Sequence, residues 1–396
     1  MTPQDLASPD RYMTKDRVEF WRRMAMDDAC IWSDPGDSPS GFWSVFSYAD
    51  CSRVLSPRAP FTLEYGMMIG FDAEHPDTSG GSMIVVTDGD RHRALRALVG
   101  PFLSRLRTQE LHGLIDTETA DIVALLRASE PVDIARSIGP RLPAAVVCEV
   151  LGAPASERER LIALTNHAFG GQDPSFNRMN PMEAHMAILQ YFFELAERRL
   201  REPGSDLISA MLQDPSMTIE DVVINCDNVL IGGNETTRHA VTGVFHALSL
   251  HPDVLGRIRS DPELLDPMVE EVVRWTSPAA HVLRVATEDT SVGDRAIAKG
   301  EAVVAWLPAA NRDPRVFDDP DRFIPDRPRN RHLGFGNGPH HCLGAAIARV
   351  EIRQLVAALV EQVESFTLVG EPEWMRSNLV QGYRTLEIAA TMRRGR

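Results

Sequence analysis

A chain of 396 residues, 43 % hydrophobic and 24 % charged, has the make-up of a globular protein with a sizeable core and is unlike a disordered one. A formal net charge of −15 excludes nucleic acid as a general partner, because phosphate contacts need a surplus of Lys and Arg. The five cysteines are scattered, odd in number and without Cys-x-x-Cys spacing, which argues against a disulfide framework or a zinc site and points to a reducing, cytoplasmic setting.

In chain order, Met1 to Lys15 is polar and mixed in charge, without the apolar centre of a signal segment, and no later stretch offers about twenty consecutive apolar residues. No membrane association is expected. Pro and Gly are spread throughout with no repeat or low-complexity linker, so one continuous domain over residues 1–396 is expected. Strand-like runs stand at Gly41 to Ser47, Val282 to Ala286, Ala302 to Leu307 and Leu386 to Thr391, and most of the remainder carries helical periodicity. The fold class is therefore mainly α with a small β lobe. His92 and Arg96 lie four residues apart, on one face of a helix that follows Asp88.

The longest helical pattern begins after Thr218, an N-cap with Asp221 at its third position, and runs to Leu250, where His251-Pro252 stops it. At about 1.5 Å per residue it would be roughly 48 Å long and could cross the whole molecule. Its middle reads Gly232-Gly233-Asn234-Glu235-Thr236-Thr237. Adjacent glycines inside a helix cost about 1 kcal/mol each relative to alanine, so close helix packing or a widened turn facing a ligand should offset them. Glu271 and Arg274 have the spacing of a helical ion pair.

Phe335-Gly336-Asn337-Gly338-Pro339-His340-His341-Cys342-Leu343-Gly344 brings one cysteine out of a glycine-rich turn, before a helix predicted from Leu343 to about Val363. Glycines let the backbone pass close to a flat macrocycle, and helix-terminal amides stabilise a sulfur anion. A buried core cysteine is the structural alternative.

The spacing Phe-Gly-x-Gly-x-His-x-Cys-x-Gly closely resembles the haem loop of the cytochrome P450 family. The resemblance implies haem b (iron protoporphyrin IX) ligated by Cys342, the metal ligand, with Phe335, His340 and Gly344 among the cofactor-binding residues. It places Gly232 and Gly233 over the distal face and makes Glu235 and Thr236 the acid and alcohol that deliver protons, with Thr237 the second choice for the hydroxyl. Propionates need cationic or hydrogen-bonding partners, and His92, Arg96, Arg284, His332 and His340 are the candidates. Asp88-Gly89-Asp90-Arg91-His92 lacks the family's usual proline pair, so the match there is partial. Glu271 and Arg274, with Arg327 as third member, are expected to support the fold and the haem loop.

By the same resemblance the function is an oxygen- and electron-dependent monooxygenase, with a hydrogen-peroxide-using peroxygenase and a haem sensor as alternatives. Thiolate ligation favours O–O cleavage over oxygen carriage. The chain has no iron–sulfur or dinucleotide-binding pattern, so a ferredoxin and its reductase are implied, docking where His341, Arg349, Arg91, Arg93, Arg105 and Arg107 form a basic face. The substrate pocket is expected from Glu64 to Ile69, from Phe169 and Phe176, Asn228 and Asn234, Ala279 to Leu283, and Leu379 to Gln381, suiting a mid-sized, partly polar small molecule. The wording of Gly41 to Ser47, Glu64 to Phe71 and Gly233 to His239 looks like bacterial members from antibiotic and other secondary-metabolite pathways. An aminoacyl or aryl/polyketide group tethered to a carrier protein is one candidate substrate.

Overall fold

The two helices that begin at Pro181 and Ile219 start where a polar side chain, Asn180 or Thr218, takes up an unsatisfied helix amide. In the computed structural model, which describes residues 6–14, 16–27, 30–75, 79–128, 131–169 and 179–394, eight helices carry the argument. They are α1 (Gly89–Val99), α2 (Arg105–Ala128), α3 (Arg141–Leu151), α4 (Arg158–Phe169), α5 (Pro181–Arg201), α6 (Ile219–Leu250), α7 (Leu265–Thr276) and α8 (Ala345–Gln362). At the start of α6 the Thr218 hydroxyl accepts from the Asp221 amide at 3.1 Å, and the Asp221 carboxylate accepts from the Thr218 amide at 3.0 Å. This reciprocal cap and the stop at His251 match the boundaries read from the sequence.

The 32 residues of α6 run through the core. The helix packs against α3, α4, α5, α7 and α8. Leu230, Val241, Val244 and Phe245 are buried along it, in one cluster with Ile188, Phe192, Leu355 and Val356 of neighbouring helices. Burying an aliphatic or phenyl side chain contributes roughly 1.5–3 kcal/mol, so this seam fixes α6 far more strongly than helix propensity does. The helix is regular α through Gly232 and Gly233; the widened turn expected there is absent.

The small β part contains β1 (Ile31–Ser33), β2 (Phe42–Val45), β3 (Phe61–Thr62), β4 (Val132–Asp133), β5 (His281–Ala286), β6 (Ala302–Trp306), β7 (Val363–Leu368) and β8 (Glu387–Met392). Five of these form one sheet in the order β1-β2-β6-β5-β3, and β4-β8-β7 form another. All five residues of β6 are buried, as a central strand covered on both faces requires. Beneath the larger sheet the stacked rings of Tyr12, Trp21, Phe46 and Trp306 make a second core. Among the described residues, no helix is long and apolar enough to cross a membrane.

Behind the cysteine loop, Glu271 and Arg274 on α7 are fully buried and paired. Arg274 Nε and Nη2 each donate to the Glu271 carboxylate at 2.8 Å. Arg327 Nε joins at 3.0 Å, the Asn330 amide nitrogen at 3.0 Å and the Ile324 backbone amide at 2.8 Å. The third member read from the sequence is thus in place. Other guanidinium hydrogens go to carbonyls of Asn311, Asp318, Asp319, Pro320 and Arg322, which pins the irregular segment leading to the loop.

Candidate active site

Positive φ angles make the cysteine loop possible: Gly336 has φ 70° and Gly338 has φ 74°. At Gly338 a Cβ would also stand 2.5 Å from the Leu55 carbonyl oxygen, so only glycine fits. The Cys342 amide donates to the Phe335 carbonyl at 2.8 Å, closing the turn. Gly344 is the N-cap of α8, which begins at Ala345, two residues later than the periodicity predicted. Cys342 is exposed where it lines a cavity. Burial raises its pKa; the amides of Gly344 and Ala345 and the charges of Arg96 and Arg349 act the other way without cancelling it.

The cavity, about 320 Å³, lies between α6 and this loop. Gly232, Gly233, Thr236 and Thr237 line one side, Phe335, Gly336, Cys342 and Gly344 another. The two glycines behave differently. A Cβ on Gly232 would meet nothing within 4 Å, whereas one on Gly233 would stand 3.0 Å from Val147 Cγ2 on α3. Close packing explains Gly233, while Gly232 faces the cavity. Gly233→Ala should therefore gain less than the roughly 1 kcal/mol that helix propensity alone would give, read by urea unfolding, and a full gain would contradict the Val147 contact.

The Thr236 hydroxyl donates to the Gly232 carbonyl at 3.1 Å, the bond back to the preceding turn that a helical threonine commonly makes, while the side chain still faces the cavity. Glu235, one residue earlier and about 100° around the helix, is not part of the cavity wall. It is buried and paired with Arg238 at 3.3 Å, and Arg238 also donates to Asn166. Burial raises the Glu235 pKa, with the Arg238 charge opposing.

At the other end of the cavity, His92 stacks on His340 with ring centroids 4.1 Å apart, and Arg96 Nη2 donates to the His341 carbonyl at 2.8 Å, tying α1 to the loop. His340 Nε2 is 2.7 Å from Asp88, whose other oxygen accepts from the Thr62 hydroxyl at 2.7 Å and the Leu63 amide at 3.0 Å. Burial works against ionised Asp88, but the bonds from His340, Thr62 and Leu63 hold its carboxyl well below the usual range. Burial, aided by the neighbouring His340 and Arg96, pushes His92 down to about 4, so it offers a neutral imidazole at neutral pH. Arg284 on β5 is buried with Nε unpartnered, near enough to Asp88 to feel its charge.

These residues fit a haem: a thiol at the cavity wall beside a glycine backbone, and an unsatisfied buried guanidinium with Arg96, His92 and His340 where acidic groups could be held. His332 is engaged behind the loop. Its Nε2 is 3.2 Å from Glu270 and its Nδ1 accepts from the Gly334 amide, and like Arg284 it is not among the residues of the cavity wall. Arg349 pairs with the same Glu270 through two bonds of 2.6 and 3.0 Å and lies over the Phe335 ring. Arg91 bonds Ser216, and Arg93 pairs with Asp90. The expected basic face is thereby partly neutralised, and the side chains of Arg105 and Arg107 lie outside the described residues.

Of the expected pocket residues, Met67, Asn228, Ala279 and Val282 line the cavity. His281 does not: its ring nitrogens lie 3.0 Å from the Ile69 amide and 2.9 Å from the Asn378 carbonyl. Asn234 donates to Thr165, and Phe176 and the side chain of Phe169 lie outside the described residues. Sequence reasoning missed Asp88 and Glu270 as anchors and Glu351 in the cavity wall. A carboxylate on its own carries no periodic signal that could have found them.

A family model described as Cytochrome P450 matches residues 173–381, over half of the chain. The chain is 32 % identical to cytochrome P450 NovI of Streptomyces niveus, covering 98 % of this chain and 96 % of that one. The crystal structure of P450 OxyD, involved in the biosynthesis of vancomycin-type antibiotics, superimposes with a TM-score of 0.94 at 55 % identity, over 98 % of this chain and all of the other. P450BioI, solved in complex with an acyl carrier protein bearing hexadec-9Z-enoic acid, superimposes with a TM-score of 0.84 at 25 % identity, covering 95 % of this chain and 99 % of that one. With the cysteine loop, the buried Glu271-Arg274-Arg327 network and the cavity beneath α6 in the same places that the sequence resemblance implied, the chain belongs to the cytochrome P450 family.

Proposed function

We propose that this monooxygenase oxidises a mid-sized intermediate of natural-product biosynthesis, an aminoacyl or aryl/polyketide group presented on a carrier protein. The observation that carries the reading is the cavity wall: Met67, Ile84, Val85, Val229 and Val282 are apolar, while Asn228, Thr236 and Thr237 offer a few polar contacts. The likeness to OxyD supports the antibiotic-pathway setting, and the carrier-bound P450BioI complex supports tethering. A carrier protein bearing the acyl group should bind more tightly than the free acid when both are titrated against the haem absorption spectrum. Equal affinity would remove the tether from the reading and leave the enzyme class intact.

Haem b, the family's cofactor, supplies when bound an iron that activates dioxygen for insertion of one oxygen atom into substrate, using two electrons from outside. Cys342 gives it a thiolate, whose charge the amides of Gly344 and Ala345 and the guanidinium groups of Arg96 and Arg349 favour against burial. Arg96, His92 and His340 of the cavity wall, with the buried Arg284, would hold the propionates. The apolar wall excludes bulk water, so protons arrive only along placed groups. Thr236 holds one at Oγ1, and Glu235, buried beside Arg238, supplies the next. Thr236→Ala should lower product formed per dioxygen consumed by roughly one to two orders of magnitude while dioxygen uptake persists. Unchanged yield would transfer the role to Thr237. A ferredoxin and its reductase deliver the electrons on the Cys342 side.

A further inference from the structure

Glu270 on α7 lies behind the cysteine loop, and three donors converge on its carboxylate. Arg349 of α8 gives two, Nε at 2.6 Å and Nη2 at 3.0 Å, and His332 Nε2 stands 3.2 Å away. His332 Nδ1 accepts from the Gly334 amide, so in the neutral ring the proton is on Nε2 and points to Glu270. Burial works against the charge on Glu270, but the bonds from His332 and Arg349 hold its carboxyl down to about 2, and it is ionised at neutral pH. The Arg349 guanidinium lies 4.5 Å from the centroid of the Phe335 ring, and the Phe335 carbonyl accepts from the Cys342 amide. The Cys342 sulfur feels two cations, Arg96 and Arg349. They are compensated differently. Arg96 lines the cavity and donates to the His341 carbonyl, whereas Arg349 is paired with Glu270, and neither member of that pair belongs to the cavity wall. A haem bound in the cavity therefore leaves the Glu270–Arg349 pair in place.

Resting on Cys342 as the haem ligand, we propose that Glu270 sets the charge felt at the thiolate: by neutralising Arg349 it keeps the sulfur a strong electron donor and the iron hard to reduce. An uncompensated Arg349 beside the sulfur would draw electron density away from the iron. It would also favour the reduced state, because the one electron that a ferredoxin supplies adds a negative charge at the iron. With Glu270 ionised, the two charges on the pair sum to nothing and the sulfur is left with the amides of Gly344 and Ala345 and with Arg96. Glu270 acts through Arg349 and is a positioning residue. His332 fixes its carboxylate from the other side. The Glu270 and Arg349 side chains are 29 % and 38 % exposed, so water screens part of the field and the expected change in redox equilibrium is several-fold, not orders of magnitude.

The test is spectroelectrochemistry of the haem-loaded protein with mediator dyes, comparing the native chain with Glu270→Gln, Arg349→Gln and the double variant. Poised at the native midpoint potential, where half of the haem is reduced, Glu270→Gln should show a reduced-to-oxidised ratio several-fold above one. Arg349→Gln, which leaves the Glu270 charge alone, should fall several-fold below one, and the double variant should return close to one. The C–O stretch of the carbon monoxide complex should move with them, to higher frequency in Glu270→Gln and to lower in Arg349→Gln. Opposite signs are the signature of charge, because damage to the loop would shift both single variants the same way. Shifts of the same sign, or none, in proteins that keep the long-wavelength Soret band overturn the proposal and leave Cys342 as the ligand. A folded, haem-loaded native protein without that band overturns both. Should Glu270→Gln not load haem, Arg349→Gln and Arg349→Lys are read instead: a fall in the first with a near-native ratio in the second supports the assignment, and a native ratio in Arg349→Gln overturns it.

Discussion

Cys342→Ser should abolish the long-wavelength Soret band that a thiolate gives the reduced, carbon-monoxide-bound protein, leaving the shorter-wavelength band of a haem with an oxygen or nitrogen ligand. The loss should be complete, because Cys342 is the only thiol in the cavity wall among the described residues. The loop itself should survive. Its closure rests on the Cys342 amide bond to the Phe335 carbonyl, on Gly336 and Gly338 at positive φ, and on the Arg96 bond to the His341 carbonyl, none of which uses the sulfur. Circular dichroism of the variant should therefore match the native protein. A native protein lacking the long-wavelength band, correctly folded and haem-loaded, would overturn Cys342 as the ligand. With a serine in its place the electron donation that favours O–O cleavage is lost, and substrate oxidation with it.

Glu271→Ala should destabilise the protein by about 3–5 kcal/mol, the range for removing one partner of a buried ion pair. Against a typical total of roughly 5–15 kcal/mol this is enough to unfold a large fraction of molecules. The physical reason is the count of donors converging on one carboxylate: two from Arg274, one from Arg327, one from Asn330 and the Ile324 amide, all around a fully buried group. Removing it leaves two guanidinium groups in the interior without their anion. The damage should extend to haem retention, because the same arginines hold the carbonyls of residues 311–322 that lead into the cysteine loop. Urea denaturation with a measurement of haem content checks both, and a loss below about 1 kcal/mol would mean that the network tolerates an unpaired cation.

Some features of this protein were legible because they depend on neighbours along the chain. The ends of α6 follow from the Thr218 and Asp221 side chains and from Pro252, and the strands β2, β5, β6 and β8 fall within two residues of the apolar runs that predicted them. The cysteine loop declared itself through glycines whose conformations and close contacts no other residue meets. The spacing of Glu271 and Arg274 showed that they pair, and the family resemblance supplied Arg327.

Direction and surroundings were decided by the tertiary structure. His332 and His340 read alike in the sequence, yet one is held by Glu270 on the helix behind the loop and the other by Asp88 at the cavity. Glu235 and Thr236 are adjacent, but a turn of about 100° per residue puts one in the wall and the other against Arg238. Arg349, expected to face a redox partner, is paired with Glu270, an acid far off in sequence. Glu351 became visible only when α8 packed beside α6 and closed its carboxyl away from water. Caps and turns are set by local sterics and hydrogen bonds that residue types encode, whereas a side chain's partner, charge state and access to a cavity depend on groups that folding brings from elsewhere in the chain.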